Sequence, residues 1–272
     1  MTRLFRLTGA LLATLAVVLV IKAALFGGAA ALAPPSQPAR PLPFPPAASG
    51  PVSPAGGRAG EVGIYASASA GQIVVYLFTP SSGSGESGTG AAGQGQVPAT
   101  LALTAPGGNV STLAARGCGP GCLAAPVRWA DGQNLLTIRV APPGYAGGAA
   151  TLDIPWPPQP GATLLRQATA ALRATPTVTV HERVTSDTAL RAGITDAATL
   201  SGSLYLANEP YGAGIAPVTV RFPFPGGQVL LLGYPAAGIC IRLAIGAGDR
   251  ITAETLTDPG HLITRVFSYP HT

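Results

Sequence analysis

The stretch Gln72-Ile73-Val74-Val75-Tyr76-Leu77-Phe78 is apolar on both of its alternating faces, with Ile73, Val75 and Leu77 pointing one way and Val74, Tyr76 and Phe78 the other. A strand of that kind predicts a central place in packed sheets, covered from two sides. Around it the same short-period alternation recurs at Val62 to Ala68, Ala99 to Thr104, Ala124 to Trp129, Leu135 to Val140 and Ala149 to Ile154, each run bounded by turn residues. Residues 61–158 are therefore expected to form a β-sandwich of about 100 residues. Within it the insert 81–96, SSGSGESGTGAAGQGQ, has no apolar side chain larger than alanine and predicts a mobile hairpin loop.

Downstream of Pro155-Trp156-Pro157-Pro158-Gln159-Pro160 the period changes. Leu164, Leu165, Ala168, Ala171 and Leu172 fall on one face of a helix that Pro176 stops. Strand runs then follow at Thr177 to Thr185, Leu200 to Leu206, Val218 to Phe224, Gln228 to Tyr234, Ile239 to Ile245, Arg250 to Thr257 and His261 to Tyr269. Pro225-Gly226-Gly227, Gly246-Ala247-Gly248-Asp249 and Asp258-Pro259-Gly260 supply tight-turn chemistry between them. Residues 161–272 are thus expected to be an α+β domain, one helix packed on an antiparallel meander. Composition agrees with a mainly β chain: 36 Gly and 28 Pro among 272 residues, with only 10% charged, exclude long helices, coiled coils and highly charged disorder.

Arg3 and Arg6 precede the apolar run Leu7 to Ile21, and small residues continue from Ala23 to Ala33. Residues 1–33 are an export signal or signal anchor. A spanning helix of about 20 residues is reached if Lys22 snorkels outward, and the two arginines then stay inside. Cleavage after Ala31 or Ala33 stays open, with Pro34 a poor follower of a scissile bond, and an uncleaved single-pass anchor is the preferred reading. Residues 34–60 hold nine prolines in 27 positions and are expected to form an extended spacer with neither helix nor sheet. The localisation expected is the cell membrane with the downstream domains extracytoplasmic, or secretion if the leader is removed. The net charge of +5 includes Arg3, Arg6 and Lys22, so +5 − 3 = +2 remains for the rest and a nucleic-acid partner is not expected.

The succession of anchor, proline-rich link, sandwich, helix and meander resembles the extracytoplasmic tail of actinobacterial copper-resistance proteins of the CopC/CopD type. Gly117-Cys118-Gly119-Pro120-Gly121-Cys122, followed by Asp131-Gly132 leading into Leu135 to Val140, carries the likeness to a YtkA-like, immunoglobulin-like domain. The helix Leu164 to Leu172 running into Val180-His181-Glu182-Arg183-Val184-Thr185-Ser186, with Arg250-Ile251 and Thr257-Asp258-Pro259-Gly260-His261-Leu262-Ile263, is similar to LolA/LppX-like half-barrels. The resemblance implies a partner at the membrane, such as a copper transporter, and for the second domain a hydrophobic small molecule. Copper binding is not carried over onto any residue, because the chain has one methionine, Met1, and three dispersed histidines.

Cys118 and Cys122 enclose Gly119-Pro120-Gly121, which can bend tightly enough to join the sulfurs, and in an oxidising compartment a disulfide clip is favoured. The alternative is a soft Cu(I) site with Cys240 as third ligand. Cys240 lies in the apolar run Ile239 to Ile245, where a lone cysteine is usually a small buried hydrophobe. The G-x-G-x-x-G matches at Gly83-Gly85-Gly88 and Gly88-Gly90-Gly93 lack the strand before and helix after that phosphate binding needs. Asn109-Val110-Ser111 formally matches a glycosylation acceptor and is read as a loop coincidence. His181 and Glu182 are consecutive in a strand and point to opposite faces, while His261 follows a turn at Asp258. The six Asp and five Glu are scattered, with no H-E-x-x-H and no nucleophile elbow. No catalytic, cofactor-binding or metal residue is expected. The function expected is a non-enzymatic, membrane-anchored accessory or binding protein associated with copper homeostasis, the alternative being a carrier of lipid or another hydrophobic ligand in the C-terminal domain.

Overall fold

The computed structural model describes residues 51–79, 97–186 and 193–270. The expected membrane segment 1–33, the spacer up to residue 50 and the insert 81–96 with its glycine motifs lie outside the described residues. Among the described residues no helix is long and apolar enough to cross a membrane.

The fold is mainly β, built of three antiparallel sheets. The first has the order β1 (Ser53–Ala59), β2 (Val62–Ser69), β3 (Gln72–Phe78), β7 (Cys122–Pro126) and β6 (Arg116–Gly119). The second has β5 (Val110–Leu113), β4 (Ala99–Thr104), β8 (Gly132–Val140) and β9 (Gly148–Trp156). Ile64, Ile73, Val75 and Leu77 of the first meet Leu101, Leu136, Ile138 and Ile154 of the second in one dry core. The third sheet is eight-stranded: β10 (Gln159–Pro160), β13 (Val218–Phe224), β14 (Gly227–Tyr234), β15 (Ile239–Ile245), β16 (Ile251–Thr257), β17 (Leu262–Ser268), β11 (Val178–Thr185) and β12 (Ile194–Leu200). Two helices, α1 (Ala162–Arg173) and α2 (Gly202–Leu206), cover one of its faces. Ala168, Leu172, Tyr205 and Leu206 pack there on Leu230, Leu232, Ile241 and Leu243.

The other face of the third sheet lies against the first sheet, and glycine makes the approach possible. A Cβ on Gly56 would sit 2.5 Å from Cys240 Cβ, one on Gly233 2.5 Å from Pro54 Cβ, and one on Gly238 2.7 Å from Phe78 Cζ. Such separations are far inside van der Waals contact, so these positions set how closely the layers stack. Tyr65, Tyr76, Phe78, Cys122 and Cys240 fill the space between them. β3 is central, as its two apolar faces predict: one lines the core with the second sheet and the other meets the third sheet. Arg58 closes the edge of this seam, donating from Nη1 to Pro259 O at 3.2 Å and from Nη2 to Glu61 O at 2.6 Å and to Ser186 O.

Four expectations are corrected. Sheet begins inside the expected spacer, at Ser53. Only Pro54 of β1 is a proline, and an edge strand tolerates the missing N–H. Leu200 to Leu206 is not one strand: β12 ends at Leu200, and Ser201 Oγ accepts from Leu204 N–H at 3.2 Å to cap a short helix, so two helices rather than one cover the sheet. The apparent alternation of Leu200, Leu204 and Leu206 is misleading, because Tyr205 and Leu206 are the adjacent buried pair and Leu204 is exposed. β5, β6 and β12 escape a hydrophobicity reading because nearly all their residues are exposed. The run expected from Ala124 to Trp129 starts earlier, at Cys122, and ends at Pro126, after which Trp129 leaves the ladder to stack on Trp156 with centroids 5.5 Å apart.

Replacing Gly56 by valine forces the first and third sheets apart. It should cost about 1–3 kcal/mol in urea unfolding, whereas Gly107→Ala, at an open turn, should stay within about 0.5 kcal/mol.

Candidate functional site

Polar chemistry concentrates under α2. Glu254, Arg265 and Glu182 are register partners on the neighbouring strands β16, β17 and β11, and they share the face that the helices cover. Arg265 Nε donates to Glu182 Oε2 at 2.6 Å. Its Nη1 donates to Glu209 Oε1 at 3.0 Å, to the Tyr205 hydroxyl at 3.2 Å and to Glu254 Oε1. Glu254 Oε2 accepts from the hydroxyls of Tyr205 at 3.0 Å and Tyr211 at 2.6 Å. Glu254 and Glu209 are 1% and 5% exposed, so these contacts replace water almost entirely.

Three carboxyls around one guanidinium give a charge of −3 + 1 = −2 if all ionise, which a dry site resists. Burial, and then the repulsion of Glu254, push the Glu209 carboxyl up to about 8, against the pull of Arg265. Its affinity for a proton is therefore raised above that of an ordinary carboxyl. Burial works against the charge on Arg265, but Glu254, Tyr205, Glu209 and Glu182 together hold it firmly protonated. Burial and Glu254 also keep the Tyr205 and Tyr211 hydroxyls un-ionised. The network ties α2 and the turns after it to three strands at one point.

Scattered at 182, 209, 254 and 265, these residues do not form a motif. One signal was there to find: Glu182 lies between Val180 and Val184, and Arg265 between Ile263 and Phe267, each a charge in the apolar phase of its strand.

Two openings lie on opposite faces of the third sheet. A recess of about 280 Å³ runs along α1, with Leu165, Arg166, Tyr211 and Ile215 in its wall. A larger groove of about 490 Å³ separates β9 from the third sheet, with Asp153, Leu231, Arg242, Thr255 and Leu262 along it. Arg242 Nε is 3.9 Å from Asp153 Oδ2, and its guanidinium lies 5.5 Å from the centre of the Phe224 ring. The groove thus combines two held cations, Arg58 and Arg242, with walls of mixed aliphatic and hydroxyl side chains.

Cys118 and Cys122 are joined in a disulfide with Cα atoms 5.1 Å apart across the β6–β7 turn. Gly121 sits there at φ +63°, a left-handed conformation that favours glycine. Cys240 is a free, buried thiol between the first and third sheets, and burial pushes it up to about 12. Among the described residues no group of three or more His, Cys, Asp and Glu side chains could hold a metal ion.

His181 is exposed on the face opposite Glu182, so the neighbours do separate as the strand period requires. His261 Nδ1 lies 3.3 Å from Asp258 Oδ2. Asp258 Oδ1 also accepts from the N–H groups of Gly260 and His261, both at 2.6 Å. Burial alone would raise the Asp258 carboxyl, but the His261 ring and these two N–H donors bring it below its ordinary value. Asn109 lies in the turn between β4 and β5.

Arg265→Met strands the carboxyls without their partner and should lower stability by about 3–5 kcal/mol in chemical denaturation. Tyr211→Phe removes one bond to Glu254 and should cost about 1.5–3 kcal/mol. Comparison of the whole chain with family models, curated proteins and solved structures returns no match.

Proposed function

We propose that the chain is a non-enzymatic extracytoplasmic protein, held at the membrane by its N-terminal segment, that works as an accessory or binding module. The observation that carries this reading is the Cys118–Cys122 disulfide, which belongs in an oxidising compartment and agrees with the basic and apolar leader at residues 1–33. The groove between β9 and the third sheet supports a binding role, since ligand sites favour such seams. The carboxyls at Glu254 and Glu209 are engaged with Arg265 and tyrosine hydroxyls under α2, which favours a structural part for them over acid–base chemistry on a substrate.

In this reading the first two sheets form an immunoglobulin-like, YtkA-like domain, and the third sheet with its helices a small LolA/LppX-like half-barrel. A place beside copper-handling membrane proteins follows from that resemblance in arrangement, and no described side chain is assigned to the metal. A hydrophobic-ligand carrier is the second reading. The recess along α1 favours it, though at about 280 Å³ it lies at the small end for ligand pockets while Leu172, Tyr205, Leu206 and Tyr211 occupy the covered face of the sheet.

Thiol counting on protein recovered from fractionated cells tests the main reading. Membrane-associated native protein should give no reactive thiol, one after unfolding, from Cys240, and three after unfolding and reduction. A cytosolic pool with three reduced cysteines would overturn it. Native mass spectrometry of the same material should show no co-purifying lipid, and a bound acyl chain would shift the assignment to the carrier.

A further inference from the structure

We propose that residues 202–217, α2 and the turns that follow it, form a charge-latched strap over the helix-covered face of the third sheet, and that the strap loosens when Glu209 adds its negative charge to a row in which one buried guanidinium already faces two other carboxyls. The strap has few holds. Tyr205, Leu206 and Tyr211 are its buried apolar contacts, while Leu204 and Ile215 are exposed at 56% and 58%. Its own backbone bonds are local turns, among them Glu209 N–H to Leu206 O and Gly212 N–H to Glu209 O, with Gly202 N–H to Thr175 O fixing only the beginning. The polar bonds to the sheet are those of Tyr205 and Tyr211 to Glu254 and of Arg265 to Glu209 and Tyr205. All of them converge on one guanidinium and one carboxylate.

Glu209 is the strap's own acid, and every charged neighbour is supplied by another element or by the strap's tyrosines. Arg265 of β17 faces it favourably, while Glu254 of β16 and Glu182 of β11 repel its charge. Tyr205 and Tyr211 flank it, and Tyr234 of β14 lies within reach of its field. Asp196 of β12 is the register partner of Glu182 and adds a further acid at the open side of the row. Removing the proton from this group leaves a second uncompensated negative charge under the strap, and swinging Glu209 into water relieves it.

The sign follows from proton linkage. A buried carboxyl with a raised affinity for its proton binds that proton more tightly closed than open. Opening therefore becomes easier as pH rises from the ordinary carboxyl range to about 8, and levels off above it. What opens is the wall of the recess along α1, to which Tyr211 and Ile215 belong, Tyr211 being also a member of the buried cluster that holds Leu230, Leu232 and Ile241. A protein exposed outside the membrane would meet such pH changes directly.

Amide hydrogen exchange of the full chain, corrected for the intrinsic pH dependence of exchange, reads this opening. Protection of amides from 203 to 213 should fall at least about tenfold between pH 5 and pH 8, with β3 and β8 unchanged. Glu209→Gln should flatten the profile. Glu182→Gln, at the half-exposed end of the row, should keep the strap folded and move the levelling-off to lower pH, because it removes one source of repulsion. Equal protection at both pH values, a fall shared by β3 and β8, or a pH dependence that survives in Glu209→Gln would each overturn the proposal.

Discussion

The close seam between β1 and the third sheet is the constraint on which the rest of the molecule depends. Two open sheet edges, β1 and β9, end the first and second sheets on one side, and an uncovered edge invites pairing with another chain. The third sheet lies across the first, and it can do so only because Gly56, Gly233 and Gly238 offer no side chain at the crossing points. The aromatic side chains of Tyr65, Tyr76 and Phe78 then become core rather than surface. β3 is buried on both faces for this reason, and the two sheet-rich blocks share a layer while keeping separate cores on either side of it.

The second block solves a different problem. A sheet of eight strands needs one apolar face covered along its length, and α1 with the short α2 supplies the cover. Where the cover is thinnest, buried charge replaces apolar packing. A wholly aliphatic contact at Glu254, Arg265 and Glu209 would cost less desolvation, but it would not fix where the strap sits. The directed bonds of one guanidinium and two phenols define a single position for Tyr205 and Tyr211 over the strands.

Much of this architecture is legible in the sequence. β3, β4, β13 and β15 have the bounds that alternation alone assigns, because each is bulky and apolar on at least one face. β5, β6 and β12 are polar, short or exposed, so hydrophobic periodicity has nothing to register there. β1 is hidden for the opposite reason: Ser53-Pro54-Ala55-Gly56-Gly57-Arg58-Ala59 resembles spacer in composition, yet its small residues are what a strand pressed between two sheets requires. The Arg265 network is assembled from residues as far as 83 positions apart, and only the strand register brings them into one row. Sequence spacing carries no trace of that register, although a charge in the apolar phase of a strand marks Glu182 and Arg265.

The position of β1 also determines how the body would bear a load. The polypeptide reaches this strand directly from the upstream segment, so tension arriving from that side is taken up first at Ser53. Held to β2 along its whole length and clamped by Arg58 at its far end, the strand meets an axial pull in shear, with its ladder resisting together and not one rung at a time. The β1–β2 ladder is thus a mechanical anchorage as well as part of a packing solution.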